Sequence, residues 1–280
     1  MNFTKLHGAG NDFIVVDARE SVHDWTKVAI ALCDRHTGIG ADGLLTVNTS
    51  DVAGLRMGLY NADGSEAEVS GNGIRCFAKY AVDRGLIDIE DGLVSIETLA
   101  GVIPARVHLE DGKVVSAQVS MGRPRFAPQE IPVALEAEPP LTDVALELAG
   151  QTLVVTCLSM GNPHAVHLAD SSIVDFPLEA IGPQVETHTL FPKRINFSVA
   201  HVTARHQIEA RTWERGVGPT LACGSGSSAV MVAARLAGLV DDEVAIAVPG
   251  GVLDLAWDGE GDVSLSGPAV EVFEGEWPDA

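Results

Sequence analysis

Two short stretches of this chain place chemically capable residues at matching positions: Ser70-Gly71-Asn72-Gly73 and Cys223-Gly224-Ser225-Gly226, each leading into a segment that reads as a helix. A hydroxyl or thiol followed by glycines at a helix start stands beside unpaired backbone N–H groups and the positive end of the dipole, a setting that attracts an anion. The same setting lowers a cysteine pKa below its free value of about 8.5, which makes Cys223 the candidate base. If the two turns converge on one cleft, a carboxylate held between Ser70 and Cys223 has a reactive group on either face of its neighbouring carbon. Removing a proton from one side of a carbon and returning one to the other needs that arrangement. Glu214-Arg215 follows an apparent strand directly and is odd for a structural loop, because Arg presents a planar fork suited to a carboxylate.

Each piece also has a plainer reading. Serine is a good N-cap, and a cysteine among apolar residues usually packs. Asn11, Asn61, Asn72, Asn162 and Asn196 mostly stand beside Gly, Pro or Asp, where asparagine makes turns, and His164 after Asn162-Pro163 fits a structural histidine. Gly38-Ile39-Gly40-Ala41-Asp42-Gly43 spells a dinucleotide-binding pattern, but it precedes a strand where that site must follow one and open a helix.

The two reactive turns belong to a repeat. Residues 55–60 overlie 208–213, 70–73 overlie 223–226 and 85–88 overlie 238–241, all at an offset of 153, while Gly10-Asn11 overlies Gly161-Asn162 at 151. Each half reads as strand, glycine-containing loop and helix, with helices expected over about 74–83 and 227–237 and closed by Gly85 and Gly238. The second helix is apolar almost all round and so must be wrapped by other structure. Val-rich runs at 13–16, 44–47, 93–96, 153–155 and 244–248 supply the strands, and 270–273 is expected to return and pair with the first. The chain reads as α+β, with the proline-rich, acidic stretch 124–140 as connector between the halves.

Eighteen Lys+Arg against 39 Asp+Glu give a net charge of −21, which excludes nucleic-acid and anionic-membrane partners. With 46% hydrophobic and 20% charged residues the profile is that of a folded protein. The most apolar window, 228–240, is too short to span a bilayer and contains Arg235, and the amino terminus lacks a secretory pattern, so a cytoplasmic location is expected. Cys33, Cys76, Cys157 and Cys223 form no CxxC pair, so free thiols are expected rather than structural zinc or a disulfide framework.

Assembled, these residues resemble the diaminopimelate epimerases, cofactor-independent amino-acid racemases, over essentially the whole chain. The resemblance rests on His7-Gly8-Ala9-Gly10-Asn11-Asp12-Phe13, Asn61-Ala62-Asp63-Gly64-Ser65-Glu66, Gly71-Asn72-Gly73-Ile74-Arg75-Cys76, Gly161-Asn162-Pro163-His164, Glu214-Arg215-Gly216-Val217-Gly218 and Ala222-Cys223-Gly224-Ser225-Gly226. It implies two pseudo-symmetric domains, 1–120 plus about 268–280 and 121–267, each a curved, mainly antiparallel sheet around a central helix. It implies a homodimer interconverting LL- and meso-diaminopimelate with no cofactor and no metal. Cys223 becomes one catalytic residue. Gly71, Asn72, Gly224 and Ser225 bind the carboxylate and ammonium at the reacting carbon, with Glu214 close by. Asn61, Asn162, Asn196 and Arg215 hold the distal end, Asn11 also touches substrate, and His164 influences the thiol pKa values.

The chain departs from the family pattern at Gly43, where some members have Gln, and at Pro219, where Glu usually stands. A third departure has chemical weight: the second catalytic cysteine of the family is here Ser70. A thiol near 8.5 and a hydroxyl nearer water's roughly 15.7 differ by about 7 units, or on the order of 10 kcal/mol for making the anionic base. Microscopic reversibility requires that base in one of the two directions. Three functions are therefore expected in turn: a diaminopimelate epimerase slowed by Ser70, a racemase or β-eliminating enzyme for another amino acid, and a non-catalytic amino-acid-binding protein.

Overall fold

A computed structural model describes residues 1–278. Residues 279 and 280, which the sequence reading assigns to the first domain, lie outside the described residues. The chain forms two units, Met1–Ser120 with the segment from Ser266 onward, and Met121–Leu265.

The first unit contains β1 (Asn2–Gly8), β2 (Asn11–Asp17), α1 (Trp25–Cys33), β3 (Gly43–Asn48), β4 (Leu55–Asn61), α2 (Gly71–Asp83), β5 (Leu93–Thr98), β6 (Gly101–Glu110) and β7 (Lys113–Ser120). The second contains β8 (Leu141–Leu148), β9 (Gln151–Ser159), β10 (Pro163–Leu168), α3 (Leu178–Glu186), β11 (Asn196–Ala204), β12 (Gln207–Glu214), β13 (Gly218–Thr220), α4 (Gly224–Leu236), β14 (Glu243–Val248) and β15 (Gly251–Ala256). After β16 (Ser264–Pro268), β17 (Val270–Glu276) returns antiparallel to β1, as expected for 270–273.

Both units repeat one topology. In the first, β2–β3 and β4–β5 pair parallel, while β1–β2, β3–β4, β5–β6 and β6–β7 pair antiparallel. In the second, β10–β11 and β12–β14 are parallel, and β8–β9, β9–β10, β11–β12 and β14–β15 antiparallel. Parallel neighbours need a crossover, which α1 and α2 supply in one unit and α3 and α4 in the other. Helices α2 and α4 each have 13 residues and begin 153 positions apart, at Gly71 and Gly224.

Helix α2 is buried from Asn72 to Ala81 and packs against β1, β2, β6 and β7. Helix α4 is buried from Gly226 to Ala234 among β9, β10, β11, β12 and β15. Glycines in their first turns cost roughly 1 kcal/mol each in propensity. Full burial of side chains such as Ile74, Phe77, Val230 and Met231 gains about 1.5–3 kcal/mol apiece, so packing outweighs the glycines.

Two expectations need correction. The helices begin three residues earlier than 74 and 227, because Ser70 and Cys223 themselves cap them and the glycines form their first turns rather than a preceding loop. The stretch 124–140, expected as the connector between the halves, runs from β7 to β8 but belongs to the second unit. Ile131 and Val133 lie in the core of the second unit, and Arg125 exchanges both main-chain hydrogen bonds with Ser159. Apolar residues spaced between the prolines hold it down.

Candidate active site

In the second unit, Cys223 adopts extended backbone angles and its Sγ accepts the Gly226 N–H at 3.4 Å, so the thiol serves as N-cap of α4. A Cβ at Gly226 would lie 2.9 Å from Thr212 Oγ1 and 3.2 Å from the Cys223 sulfur, so this turn closes only around glycine. The sulfur stands 3.6 Å from Ser225 Oγ. Asn162 Nδ2 donates to that Oγ at 3.2 Å, and Asn162 Oδ1 accepts from His164 Nε2 at 2.9 Å. Cys223, Ser225, Asn162 and His164 are thereby joined in one hydrogen-bonded chain, with the imidazole proton on Nε2.

The electrostatics reverse one expectation. Burial, and after it the Glu214 carboxylate, push the Cys223 thiol above its ordinary value, and the bonds from Ser225 and the Gly226 N–H offset this only in part. The helix N-terminus does not yield a ready thiolate, because the same packing that seats the sulfur there removes water from it. His164 is fully buried and its pKa is lowered to about 3, by burial first and then by the charge of Arg215. It is a neutral imidazole at physiological pH.

A second chain holds the turn after β12. Asn196, buried at the start of β11, donates from Nδ2 to Pro163 O and accepts the Arg215 N–H on Oδ1, both at 2.9 Å. The exposed Arg215 guanidinium donates to Lys193 O at 3.1 Å, and Glu214 Oε1 accepts from Thr220 Oγ1 at 2.7 Å.

In the first unit, Ser70 caps α2 by accepting the Gly73 N–H at 3.1 Å. Asn72 Nδ2 donates to Asn11 Oδ1 at 3.0 Å, which joins the start of the helix to the start of β2. Asn11 in turn donates to Asp42 at 2.7 Å. Asn61, at the end of β4, is exposed and donates to Ser65 Oγ at 2.9 Å, outside that network. Gly71 and Gly224 are the first residues of their helices.

Sequence reasoning assigned no role to Arg75 or Asp42. Arg75 is fully buried in α2 and donates from Nη2 to Asn72 Oδ1 at 2.6 Å, fixing which way that amide points. A Cβ at Gly8 would come within 2.9 Å of the same Nη2. The available signal was an arginine three positions after Asn72, between the apolar Ile74 and Cys76. All four cysteines are free and buried. Among the described residues, no three His, Cys, Asp or Glu side chains group as metal ligands, and no helix is long and apolar enough to cross a membrane.

A model of the diaminopimelate epimerase family matches residues 3–127 and 156–272. The chain belongs to the diaminopimelate epimerase family. The diaminopimelate epimerase of Acetivibrio thermocellus is 45% identical over 99% of this chain and 98% of its own length. That of Methanococcus maripaludis is 41% identical over 99% of both chains. Solved structures add the fold: a Bacillus anthracis phenazine biosynthesis protein of the PhzF family superposes with TM-score 0.73 at 17% identity, covering 100% of this chain and 99% of that one. A hydroxyproline epimerase from Agrobacterium vitis gives 0.70 at 13% identity, covering 98% and 91%. The chain therefore shares the α+β fold of these structures.

Proposed function

We propose that this protein is a diaminopimelate epimerase, an isomerase that interconverts LL- and meso-2,6-diaminopimelate by moving the α-proton from one face of the carbon to the other. The full-length relationship to proteins of that name, at 41–45% identity, carries the reading. The residue assignments follow the family resemblance. Gly71, Asn72, Gly224 and Ser225, at the helix N-termini, bind the carboxylate and ammonium at the reacting carbon, and Asn11 also contacts substrate. Glu214 takes the α-ammonium. That contact also answers the raised Cys223 pKa, since a cation beside Glu214 cancels the second cause of the rise as binding brings the proton to be removed. Cys223 is one proton-transfer group and Ser70 the other. Arg215, with Asn61, Asn162 and Asn196, holds the distal carboxylate and ammonium. His164, neutral at the end of the hydrogen-bonded chain, orients Asn162 and through it Ser225. The enzyme in this reading works in the cytoplasm as a homodimer, supported by the family resemblance.

Ser70 sets the rate. The experiment follows LL-diaminopimelate in deuterated water with the chain as it stands and with Ser70→Cys. Ser70→Cys is expected to epimerise at least ~10²-fold faster, the scale of one well-placed acid or base. Inversion and deuterium uptake absent from both proteins overturn the proposal.

The unequal Ser70/Cys223 pair favours one second reading, a racemase or β-eliminating enzyme for another amino acid. A substrate panel decides it: preference for a substrate lacking the second carboxylate supports the second reading and discards the first.

A further inference from the structure

We propose that Glu186 is a positioning residue for the turn that carries Glu214 and Arg215. Gly182 and Glu186 lie four residues apart and share one face of α3. A Cβ at Gly182 would fall 2.4 Å from Trp213 Cδ2, so the indole of the last turn-ward residues of β12 rests directly on the helix backbone. From that seat Trp213 Nε1 donates to Glu186 Oε2 at 2.7 Å. The other oxygen, Oε1, accepts the Gly216 N–H at 3.0 Å and an Arg194 N–H at 3.3 Å. One carboxylate thus grips the chain immediately before and immediately after the pair at 214 and 215. Its side chain is 9% exposed, so each of these charge-assisted bonds acts with little competition from water.

The turn closes on the Val217 N–H to Glu214 O bond at 3.0 Å and on the β12–β13 ladder, but neither of these reaches the Gly216 N–H. Gly216 sits at φ 78° and Gly218 at φ 108°, left-handed conformations that glycine adopts without cost but does not enforce. Asn196 fixes the Arg215 N–H from one strand, and Glu186 fixes the flanking donors from the helix. Losing the carboxylate leaves an indole N–H and a backbone N–H without their acceptor.

The consequence for binding rests on Glu214 and Arg215 contacting substrate, as proposed above. The test uses the full chain and Glu186→Gln, Arg215→Ala and the double variant, titrated calorimetrically with meso-diaminopimelate, with amide hydrogen exchange read in parallel. Glu186→Gln is expected to weaken binding about tenfold, the scale of one charge-assisted hydrogen bond. On the Arg215→Ala background it is expected to add less than about threefold, because the residue acts through that turn. Exchange at 214–218 rises while the amides of α4 keep their protection. Additive losses, or unchanged exchange at Gly216, overturn the proposal. If the parent binds no diaminopimelate, the substrate reading fails, and Gly216 exchange still decides whether Glu186 braces the turn. Should Glu186→Gln not fold, Trp213→Phe removes the indole donor, keeps a ring against Gly182 and is expected to show the same rise at 214–218.

Discussion

Cys223 is a weak acid where it stands, and the residues around it account for that. Its sulfur caps a helix, which favours the thiolate, yet it is buried and faces the Glu214 carboxylate, and these win. Arg215, which follows Glu214 in sequence, is exposed and carries the distal-pocket assignment. Arg215→Ala is expected to weaken diaminopimelate binding roughly 10- to 100-fold, against little change for a neutralised surface charge such as Arg123→Ala; equal affinities by calorimetry would remove the assignment. His164 makes a separate prediction about pH. Its imidazole protonates near pH 6.5 in the unfolded chain but only near 3 in the fold, because burial disfavours the cation. A depressed folded value means that its contribution to stability is complete above about pH 6.5 and lost as pH falls toward 3. Relative to His164→Gln, the parent is therefore expected to lose about 1.4 kcal/mol of unfolding free energy per pH unit across that window. Parallel stability curves in urea titrations would show that the buried imidazole is not what couples this fold to acid.

At the scale of elements, the two reactive turns are N-caps first. Each side chain accepts the N–H three residues on, and this is why the glycines there are helical rather than loop. Two glycines of one turn separate packing from propensity. A Cβ at Gly226 meets Thr212 Oγ1 at 2.9 Å, whereas at Gly224 the nearest atoms are Leu265 Cδ1 at 3.5 Å and Met121 Cε at 3.6 Å. Gly226→Ala is expected to destabilise by about 1–3 kcal/mol through overpacking, and Gly224→Ala to leave stability unchanged or raise it by up to about 1 kcal/mol. Thermal denaturation of the pair checks the order, and a reversal would mean that the turn relaxes around the added methyl. The proline stretch 124–140 misled at this scale because composition reports turns and charge, while buried Ile131 and Val133 and the main-chain bonds of Arg125 with Ser159 anchor the segment.

For the whole molecule, the net charge of −21 repels polyanions at long range but does not oppose diaminopimelate, whose two carboxylates and two ammonium groups cancel. Long-range steering acts on net charge, so KM is expected to change less than about threefold between roughly 0.02 and 0.5 M salt. A steep salt dependence in initial-rate assays would point to a substrate with net charge. The repeat was legible because shared element order survives in periodic glycines and apolar runs, and the thirteen-residue helices beginning at 71 and 224 keep its offset of 153. The helix stops at Gly85 and Gly238 and the return of 270–273 to the first strand were likewise readable, since each depends on neighbours in sequence or on simple alternation, whereas the helix starts were read three residues late. The direction of the Cys223 pKa was not, nor the grip of Glu186 on Gly216 thirty residues away, nor the lock of Arg75 on Asn72. Those follow from which groups packing brings together and how much water it removes, and neither quantity exists until the chain has folded.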